Sequence, residues 1–358
     1  MKKVILGILV IIIIAISVAT FAFYNYYKKS LVAVGSSDEK VTITINEGST
    51  SRQIIDKLYE ANLLKDKKMA YLYIKLNPSN NLQAGTYELN RGMSLEEIIK
   101  KIGSGEAFFD TIKVTFVEGK RITNYAKTIH DSFGYSEDEI IKTLQDQEYI
   151  QELINKYWFL TEEVQNDKLY YALEGYLYPD TYEFTKDATI KQIIEKMLDK
   201  TSIVLSQYKT TIEESDLTLH EILTMASIIE LEGASSSDRA GVAGVFYNRY
   251  YGGWSLGSDV TTYYAAKIEM SDRDLYQYEL DDENDYNTRS SSMAGRLPVG
   301  PICSPGEDAI KAAINPTKHN YYYFVADKNK KTYFSSTLSE HNATINYLQS
   351  NGLWYTYE

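Results

Sequence analysis

The sequence Met225-Ala-Ser-Ile-Ile-Glu-Leu-Glu-Gly-Ala234 ends a helical pattern that begins near residue 217. Apolar side chains in this pattern recur at the spacing of one helix face, and they are Ile222, Met225, Ala226 and Ile229. The pattern therefore predicts a helix that belongs to the hydrophobic core. Its C-terminal end carries two carboxylates, Glu230 and Glu232, and the glycine that follows them is suited to stop a helix.

Glu230 and Glu232 stand at the helix end where the helix dipole disfavours negative charge. A carboxyl group in that field, flanked by apolar residues, should have a raised pKa and can stay protonated near neutral pH. Such a group can act as a general acid. Two positions along a helix correspond to about 200° of rotation, so only one of the pair is expected to face a given cleft. The pattern does not choose between them, and two solvated glutamates at a helix end are the alternative.

A third carboxylate, Glu174, lies among tyrosines in Leu173-Glu-Gly-Tyr-Leu-Tyr-Pro-Asp-Thr-Tyr-Glu-Phe184. Tyrosine combines a flat apolar face with a hydroxyl group, which suits a sugar ring. We therefore expect Tyr176 and Tyr178 to border a sugar-binding site. In the alternative interpretation, the segment is a packed aromatic loop in which Glu174 anchors hydrogen bonds.

Three further segments are candidates for shaping a site. Leu256-Gly-Ser-Asp-Val-Thr-Thr262 places Asp259 near a predicted helix start. Tyr286-Asn287-Thr288 is a short polar motif, and residues 296–306 (RLPVGPICSPG) form a loop with three prolines. A loop of this kind is rigid and often shapes a binding site, although scaffolding without ligand contact would need the same residues.

The composition is acidic and almost free of cysteine, with a net charge of −12, four histidines and one cysteine in 358 residues. Nucleic-acid binding and a polybasic grip on lipids both need a basic face, so both are disfavoured. A single cysteine excludes an intramolecular disulfide and cysteine-rich metal centres. The histidines show no metal-ligand spacing, and no glycine-rich phosphate loop is present. We therefore expect neither a metal nor a cofactor.

The N-terminus begins with Met1-Lys2-Lys3, and twenty residues without a charge follow it, Val4 to Phe23. At about 1.5 Å rise per residue, a helix of this length spans about 30 Å, one bilayer core. The run is longer than the apolar region of a secretory signal, about 7–15 residues. We predict an uncleaved single-pass anchor in the cell membrane with the large domain outside the cytoplasm; a cleaved signal is the alternative.

The rest of the chain mixes helix and strand patterns after an expected linker at residues 24–39. Lys40–Gly48 and Lys113–Gly119 each suggest a strand, then Glu-Gly, then a helix, which indicates a weak internal repeat. Further strands are predicted at 85–89, 321–325 and 332–334, and helices at 52–61, 67–75, 95–102, 123–132, 136–147, 148–156, 189–206 and 217–232. Without a regular βαβ alternation, this mixture predicts an α+β fold.

Seven segments, taken in order, resemble the MltG (YceG-like) family of endolytic murein transglycosylases. They are LEGYLYPDTYEF (173–184), ASIIELEGA (226–234), LGSDVTTYY (256–264), YNTR (286–289), RLPVGPICSPGEDAIKAAINP (296–316), YYYFVAD (321–327) and FSSTLSEHNATI (334–345). The resemblance covers about residues 40–350 and includes the anchor. It implies a transmembrane helix (4–23), a LysM-like module (40–108) and a lysozyme-like YceG-type transglycosylase domain (109–352).

The resemblance also implies the reaction, which is cleavage of the MurNAc–GlcNAc β-1,4 bond within nascent glycan strands to give 1,6-anhydro-MurNAc ends. The family's catalytic glutamate is the second of the Glu-x-Glu pair, which is Glu232 here. This chain has Gly233 next to it where some relatives carry threonine, so the local hydroxyl contact differs. The other expected site residues bind substrate, and they are Glu174, Tyr176, Tyr178, Asp259, Tyr286, Asn287 and Glu230.

The chemistry of a lytic transglycosylase needs only one carboxyl group, because the sugar's own 6-hydroxyl attacks the anomeric carbon. One glutamate can protonate the leaving oxygen and then deprotonate that hydroxyl, with the effective-molarity advantage of an intramolecular attack. The expected partners are peptidoglycan strands, cell-wall synthases and elongation or division proteins. A non-catalytic wall-binding scaffold is one alternative. Another is a muramidase-type hydrolase, which would need Glu174 or Asp259 to activate water.

Overall fold

The computed structural model describes residues 2–36, 39–46, 48–78, 82–105, 111–233 and 235–354, with side chains from Ile8 onward. The chain divides into two compact units, Met1–Asp110 and Thr111–Glu358, each of which is described by itself. The predicted module boundary between residues 108 and 109 lies outside the described residues.

The first unit begins with helix α1, Lys2–Leu31, which is long and apolar enough over Ile8–Leu31 to cross a membrane. None of that stretch is buried inside the structure. The helix continues past Phe23 into the predicted linker, because no glycine or proline occurs between residues 24 and 34.

The remainder of the first unit is a β-α-α-β arrangement followed by one helix. Its elements are β1 (Lys40–Ile45), α2 (Ser51–Glu60), α3 (Lys67–Leu76), β2 (Gly85–Asn90) and α4 (Leu95–Ser104). The two strands pair antiparallel, with Lys40 opposite Asn90 and Ile45 opposite Gly85. Alternate strand residues enter a core that the helices complete, and its members include Ile43, Ile45, Ile54, Leu58, Tyr87, Leu89, Ile98 and Ile102.

Side-chain caps define where the helices of this unit begin. Thr50 and Gln53 form a capping box at α2, and Ser94 and Glu97 form the predicted one at α4. Asp66 accepts hydrogen bonds from two backbone N–H groups at the start of α3. Each cap satisfies donors that a helix leaves unpaired at its first turn, which is why these short helices begin where they do.

The second unit is mainly helical and contains two short antiparallel strand pairs. Strand β3 (Thr111–Thr115) pairs with β4 (Thr181–Thr185), and β5 (Tyr323–Ala326) pairs with β6 (Thr332–Ser335). The helices are α5 (Ile122–Phe133), α6 (Glu137–Leu144), α7 (Gln147–Lys156), α8 (Ile190–Ser206), α9 (Lys209–Glu213), α10 (Leu219–Leu231), α11 (Arg239–Tyr251), α12 (Asp259–Ala265), α13 (Gln277–Leu280), α14 (Glu307–Ile314) and α15 (Leu338–Ser350). The mixed α+β class predicted from the sequence is confirmed.

Helix α10 lies at the centre of the second unit. Every residue from Ile222 to Glu230 is buried, so the helix is enclosed on nearly all sides and not only on the one predicted face. It packs against α14, α11 and α12. The proline-containing loop at residues 296–306 is fixed to it as well, because Ile302 N donates to Ser227 Oγ at 3.0 Å. The residues at the C-terminal end of α10 are therefore held by a closely packed part of the unit.

Candidate active site

Glu232 terminates α10 at the boundary between the core and the surface. It is the C-cap residue, with φ −69° and ψ −4°, and its N–H still donates to Ile228 O. Gly233 then turns the chain with φ +66°, a left-handed conformation that a side chain would strain. This abrupt helix end leaves the Glu232 side chain partly exposed, whereas Ile222 to Glu230 are buried.

Ser258 is the direct partner of the Glu232 carboxyl group. Its Oγ donates a hydrogen bond of 2.5 Å to Glu232 Oε1, and Ser258 itself is only 3% exposed. In the part of the chain that the structure describes, Glu232 Oε2 receives no hydrogen bond. One carboxyl oxygen is therefore oriented by the protein, and the other is available to a ligand.

The surroundings of Glu232 favour its protonated form. Burial raises the pKa of this carboxyl, and the negative charge of Asp259 adds to the increase. The Ser258 hydrogen bond and the positive charges of Arg249 and Arg289 act in the opposite direction but do not cancel it. The raised pKa that the sequence predicted for this helix end therefore follows mainly from burial.

The loop that carries Ser258 is anchored by a buried network of hydroxyl groups. Ser258 N donates to Thr288 Oγ1 at 3.1 Å, and the hydroxyl groups of Thr261 and Thr288 lie 2.8 Å apart. Asn287 continues the network, since its Oδ1 accepts from Thr262 Oγ1 at 2.7 Å. Because all of these polar atoms are buried and paired, the network fixes the position of Ser258. The polar motif at residues 286–288 thus supports the loop that carries Ser258 from the protein interior.

Asp259 lies at the start of α12 beside this loop, and its side chain is exposed. It forms an ion pair with Arg289, also at the surface. Arg249 approaches from α11, and its Nη1 donates to Leu256 O at 2.5 Å. One carboxylate and two guanidinium groups therefore influence the same catalytic candidate.

Glu230 is enclosed and braced within the fold. Its Oε1 accepts from Arg239 Nη2 at 2.9 Å, and its Oε2 accepts from Gly306 N at 2.9 Å. Both ion-pair side chains are nearly buried, with Arg239 12% and Glu230 5% exposed. Burial raises the pKa of Glu230, and the charge of Arg239 opposes that increase. With both carboxylate oxygens occupied, Glu230 has no free atom for a substrate in this conformation.

Glu174 is also internal, at 2% exposed. Its Oε1 accepts from Ile122 N at 2.9 Å, at the first turn of α5, and its Oε2 accepts from Tyr264 OH at 3.1 Å. Burial raises the pKa of Glu174 to about 8, with Arg121 among the groups that oppose the increase. This geometry matches the hydrogen-bond anchor that the sequence left as an alternative.

Two of the three tyrosines expected at the glycan belong to the core, since Tyr176 and Tyr286 are each 1% exposed. Tyr176 OH shares a 2.8 Å hydrogen bond with His220 Nδ1, and the Tyr286 ring packs 4.8 Å from that of Tyr264. Asn287 is fully buried. These residues have no surface for a sugar in this conformation, whereas Tyr178 is half-buried and keeps one.

Sequence reasoning missed Ser258, Arg249 and Arg289. Ser258 and Arg289 stand next to residues that were selected, in the Gly-Ser-Asp and Tyr-Asn-Thr-Arg segments. Their proximity to Glu232 depends on contacts 26 or more positions apart in the chain, which no local pattern contains. Arg249 lies outside all of the motifs selected from the sequence. Among the described residues, no group of three or more His, Cys, Asp or Glu side chains is placed to hold a metal ion.

Comparison with known proteins identifies the class to which this fold and site belong. The profile of the YceG-like family matches residues 43–347, and the chain belongs to that family. The resemblance inferred from the seven motifs is thereby confirmed.

Individual relatives give the same result. An endolytic murein transglycosylase of Bacillus subtilis is 36% identical over 320 residues, 88% of this chain and 87% of the relative. One from Streptococcus pneumoniae is 33% identical over 338 residues, 90% of this chain but 61% of that longer protein. The crystal structure of a YceG-like protein from Listeria monocytogenes aligns with TM-score 0.61 at 34% identity, covering 86% of this chain and all of the other.

Proposed function

We propose that this protein is a membrane-anchored endolytic transglycosylase of peptidoglycan, with Glu232 as its general acid and base. Membership in the YceG-like family and the names of its curated relatives support lytic transglycosylase activity on murein. The finer assignment concerns the product, which is a 1,6-anhydro-MurNAc end formed by cleavage of the MurNAc–GlcNAc β-1,4 bond. We also propose that the large domain, which follows the apolar helix α1 in the chain, lies outside the cytoplasm.

One observation carries the assignment of Glu232. Among the three glutamates selected from the sequence, Glu230 and Glu174 have both oxygens bound by the protein. Glu232 has one oxygen oriented by Ser258 and is partly exposed. Because its pKa is raised, Glu232 stays protonated in more of the molecules near neutral pH than an ordinary glutamate does, as a general acid requires.

The proposed reaction uses the Glu232 carboxyl group twice, first as an acid and then as a base. Protonated Glu232 gives its proton to the glycosidic oxygen as the bond to the anomeric carbon breaks. The resulting carboxylate then accepts the proton of the MurNAc 6-hydroxyl, whose oxygen forms the new bond to the same carbon. The sugar closes on itself, no water is consumed, and Glu232 is protonated again for the next cycle.

The neighbours of Glu232 balance these two roles. Ser258 donates to the carboxylate and so stabilises the form that must accept a proton, while burial and Asp259 favour the form that gives one. We assign Asp259 and Tyr178 to substrate binding because both retain exposed surface. Glu174, Glu230, Tyr176, Tyr286 and Asn287 are instead proposed to position the elements that build the site.

The first unit supports a wall-binding role. Its β-α-α-β order, with two antiparallel strands and a helical layer, is compatible with the LysM-like module that the sequence resemblance implied. We propose that this module binds glycan and keeps the enzyme on nascent strands near the cell-wall synthases. The enzymatic proposal is favoured over a pure scaffold because the oriented, partly exposed Glu232 is retained.

Product analysis tests the function directly. Full-length protein in detergent micelles is incubated with purified murein glycan strands, and the fragments are weighed by mass spectrometry. We expect internal cuts whose new ends are lighter by one water molecule than hydrolysis products. Glu232→Gln, which is close to isosteric, should lose about 10²- to 10⁴-fold or more in rate. Hydrated ends, or near-normal turnover by Glu232→Gln, would contradict the proposal.

A further inference from the structure

A glycine turn presents an exposed aromatic side chain near the start of the loop that leads from α11 to Ser258. Helix α11 ends at Tyr251, and Gly253 adopts φ +71°, a conformation suited to glycine. Trp254 follows directly and is 44% exposed although it is one of only three tryptophans in the chain. An exposed indole leaves a large apolar surface in water, which is unfavourable. Its exposure therefore indicates a ligand site more strongly than the exposure of a single surface leucine does.

The backbone around Trp254 is held on both sides. Its N–H donates to Arg249 O at 2.8 Å, and its carbonyl accepts from Gly295 N at 2.8 Å. The indole packs 4.8 Å from the ring of Tyr322, which is half-buried. The ring is therefore pre-organised, and its outer part faces solvent without the entropy cost of ordering a loose side chain.

The same short segment connects Trp254 to the catalytic candidate. Ser258, which binds the Glu232 carboxyl group, is four positions away, so an extended chain separates the two by at most about 14 Å. Arg249 holds this segment and the residue that backs Trp254, since its Nη1 donates to Leu256 O and its Nε donates to Tyr322 O at 2.7 Å. A polymer of linked sugar rings that passes Glu232 can cover that distance with a few of its units.

We propose that Trp254, backed by Tyr322, forms a stacking subsite for a sugar ring of the glycan strand away from the bond that is cut. The inference rests on the proposed function, because the occupant is the substrate itself. A pyranose ring offers apolar C–H groups on one face, and indole offers the largest flat surface among side chains. Binding there would favour long strands and cuts within them over short fragments that cannot reach from Glu232 to Trp254.

Kinetics separates a subsite from a merely structural role. Trp254→Ala should raise KM for long glycan strands about tenfold while kcat changes little, because the lost contact is uniform binding remote from the chemistry. Trp254→Phe should recover most of the affinity. Trp158→Ala is the matched control, since Trp158 is another exposed tryptophan, at 39%, on a different segment. An unchanged KM for Trp254→Ala, or an equal effect of Trp158→Ala, would overturn the subsite.

Fluorescence distinguishes failure of the subsite from failure of the proposed function. Full-length Glu232→Gln protein that also carries Trp158→Phe and Trp354→Phe has Trp254 as its only tryptophan. Amidase-treated soluble glycan strands, free of stem peptides, should shift its emission in a saturable way. A matched protein that keeps only Trp158 should show no shift. Strands that co-sediment with the protein without changing Trp254 emission would refute the subsite alone. Wild-type protein that neither binds nor cuts the strands would refute both proposals.

Discussion

Ser258 and Glu232 lie 26 positions apart in the chain, yet the Ser258 hydroxyl group donates a hydrogen bond of 2.5 Å to Oε1 of the Glu232 carboxyl group. The contact joins the end of the core helix α10 to the loop before α12. It orients the carboxyl group and lowers its pKa against the larger increase from burial. The two residues therefore form one acid–base unit.

Ser258→Ala should slow glycan cleavage and move its pH dependence. Loss of the donor raises the pKa of Glu232 further, because the hydrogen bond stabilises the charged form. A general acid is lost as pH rises through its pKa, so the alkaline limb of kcat/KM should shift to higher pH. The rate should fall about tenfold or more, since hydrogen bonds to charged groups contribute about 1.5–3 kcal/mol. Ser255→Ala, which removes a hydroxyl that bonds to Thr288 O instead, should leave that limb in place.

Glu230→Gln should affect stability and leave the chemistry largely intact. The substitution removes the charge that pairs with nearly buried Arg239, so the guanidinium group loses its counter-ion. Breaking a buried pair costs about 3–5 kcal/mol, and less here because the amide oxygen can still accept a hydrogen bond. The measurement is thermal unfolding together with turnover, compared with Glu232→Gln. A Glu230→Gln protein that is stable but inactive would reverse the assignment within the pair.

The raised pKa of Glu174 predicts that the stability of the fold depends on pH. Its pKa is raised to about 8 in the fold, whereas an unfolded glutamate titrates near 4.5. The folded state therefore holds a proton between these values that the unfolded state releases, so the free energy of unfolding should fall as pH rises through this window. A tenfold difference in proton affinity between the two states corresponds to about 1.4 kcal/mol, so the free energy lost amounts to a few kcal/mol.

Glu174→Gln should make that slope shallower, because the amide imitates the protonated acid and only the smaller contributions of Glu230 and Glu232, whose pKa values burial also raises, remain. Denaturant unfolding of the full chain in detergent, followed by tryptophan emission, provides the measurement. All three tryptophans, Trp158, Trp254 and Trp354, belong to the second unit, so the signal reports on the domain that contains Glu174. A wild-type protein whose stability is flat from pH 5 to 8 would refute the prediction.

Asp259→Asn should separate the transglycosylase from a hydrolase. Asp259 is the exposed carboxylate whose charge acts on Glu232, so it is the candidate for activating water in a muramidase-type reaction. In a transglycosylase, its loss should lower the pKa of Glu232 and move the alkaline limb to lower pH while anhydro ends persist. Mass analysis of the products reads out the difference. Loss of all turnover with Asp259→Asn, together with hydrated wild-type ends, would favour hydrolysis.

The topology prediction concerns α1. With a short positive N-terminal tail and the apolar stretch inside the bilayer, the residues after Leu31 should lie outside the cytoplasm. Protease added to intact protoplasts should digest the large domain, while a cytoplasmic marker protein stays intact. Protection of the domain until the membrane is opened would contradict this orientation.

Local patterns were sufficient for many of the elements and for the family. The helix at 217–232, the capping box at Ser94 and the strands near 321 and 332 all follow from periodicity and caps, and the structure has them as α10, α4, β5 and β6. These features depend on neighbours within a turn or two, so the chain itself contains the information. The seven ordered motifs led to the YceG-like family in the same way.

What the sequence by itself determined, then, was the class of the fold, the apolar core helix and a pair of glutamates at its end. The family resemblance implied the second of them, and only the tertiary structure shows how their surroundings differ, because Arg239 and Gly306 occupy both carboxylate oxygens of Glu230 while Ser258 binds one oxygen of Glu232. The tertiary structure also shows that Tyr176 and Tyr286 are buried in the core and that Trp254 is exposed. Burial and pairing depend on residues that are distant in the chain, such as Ser258 for Glu232, so no local pattern could have supplied these contacts.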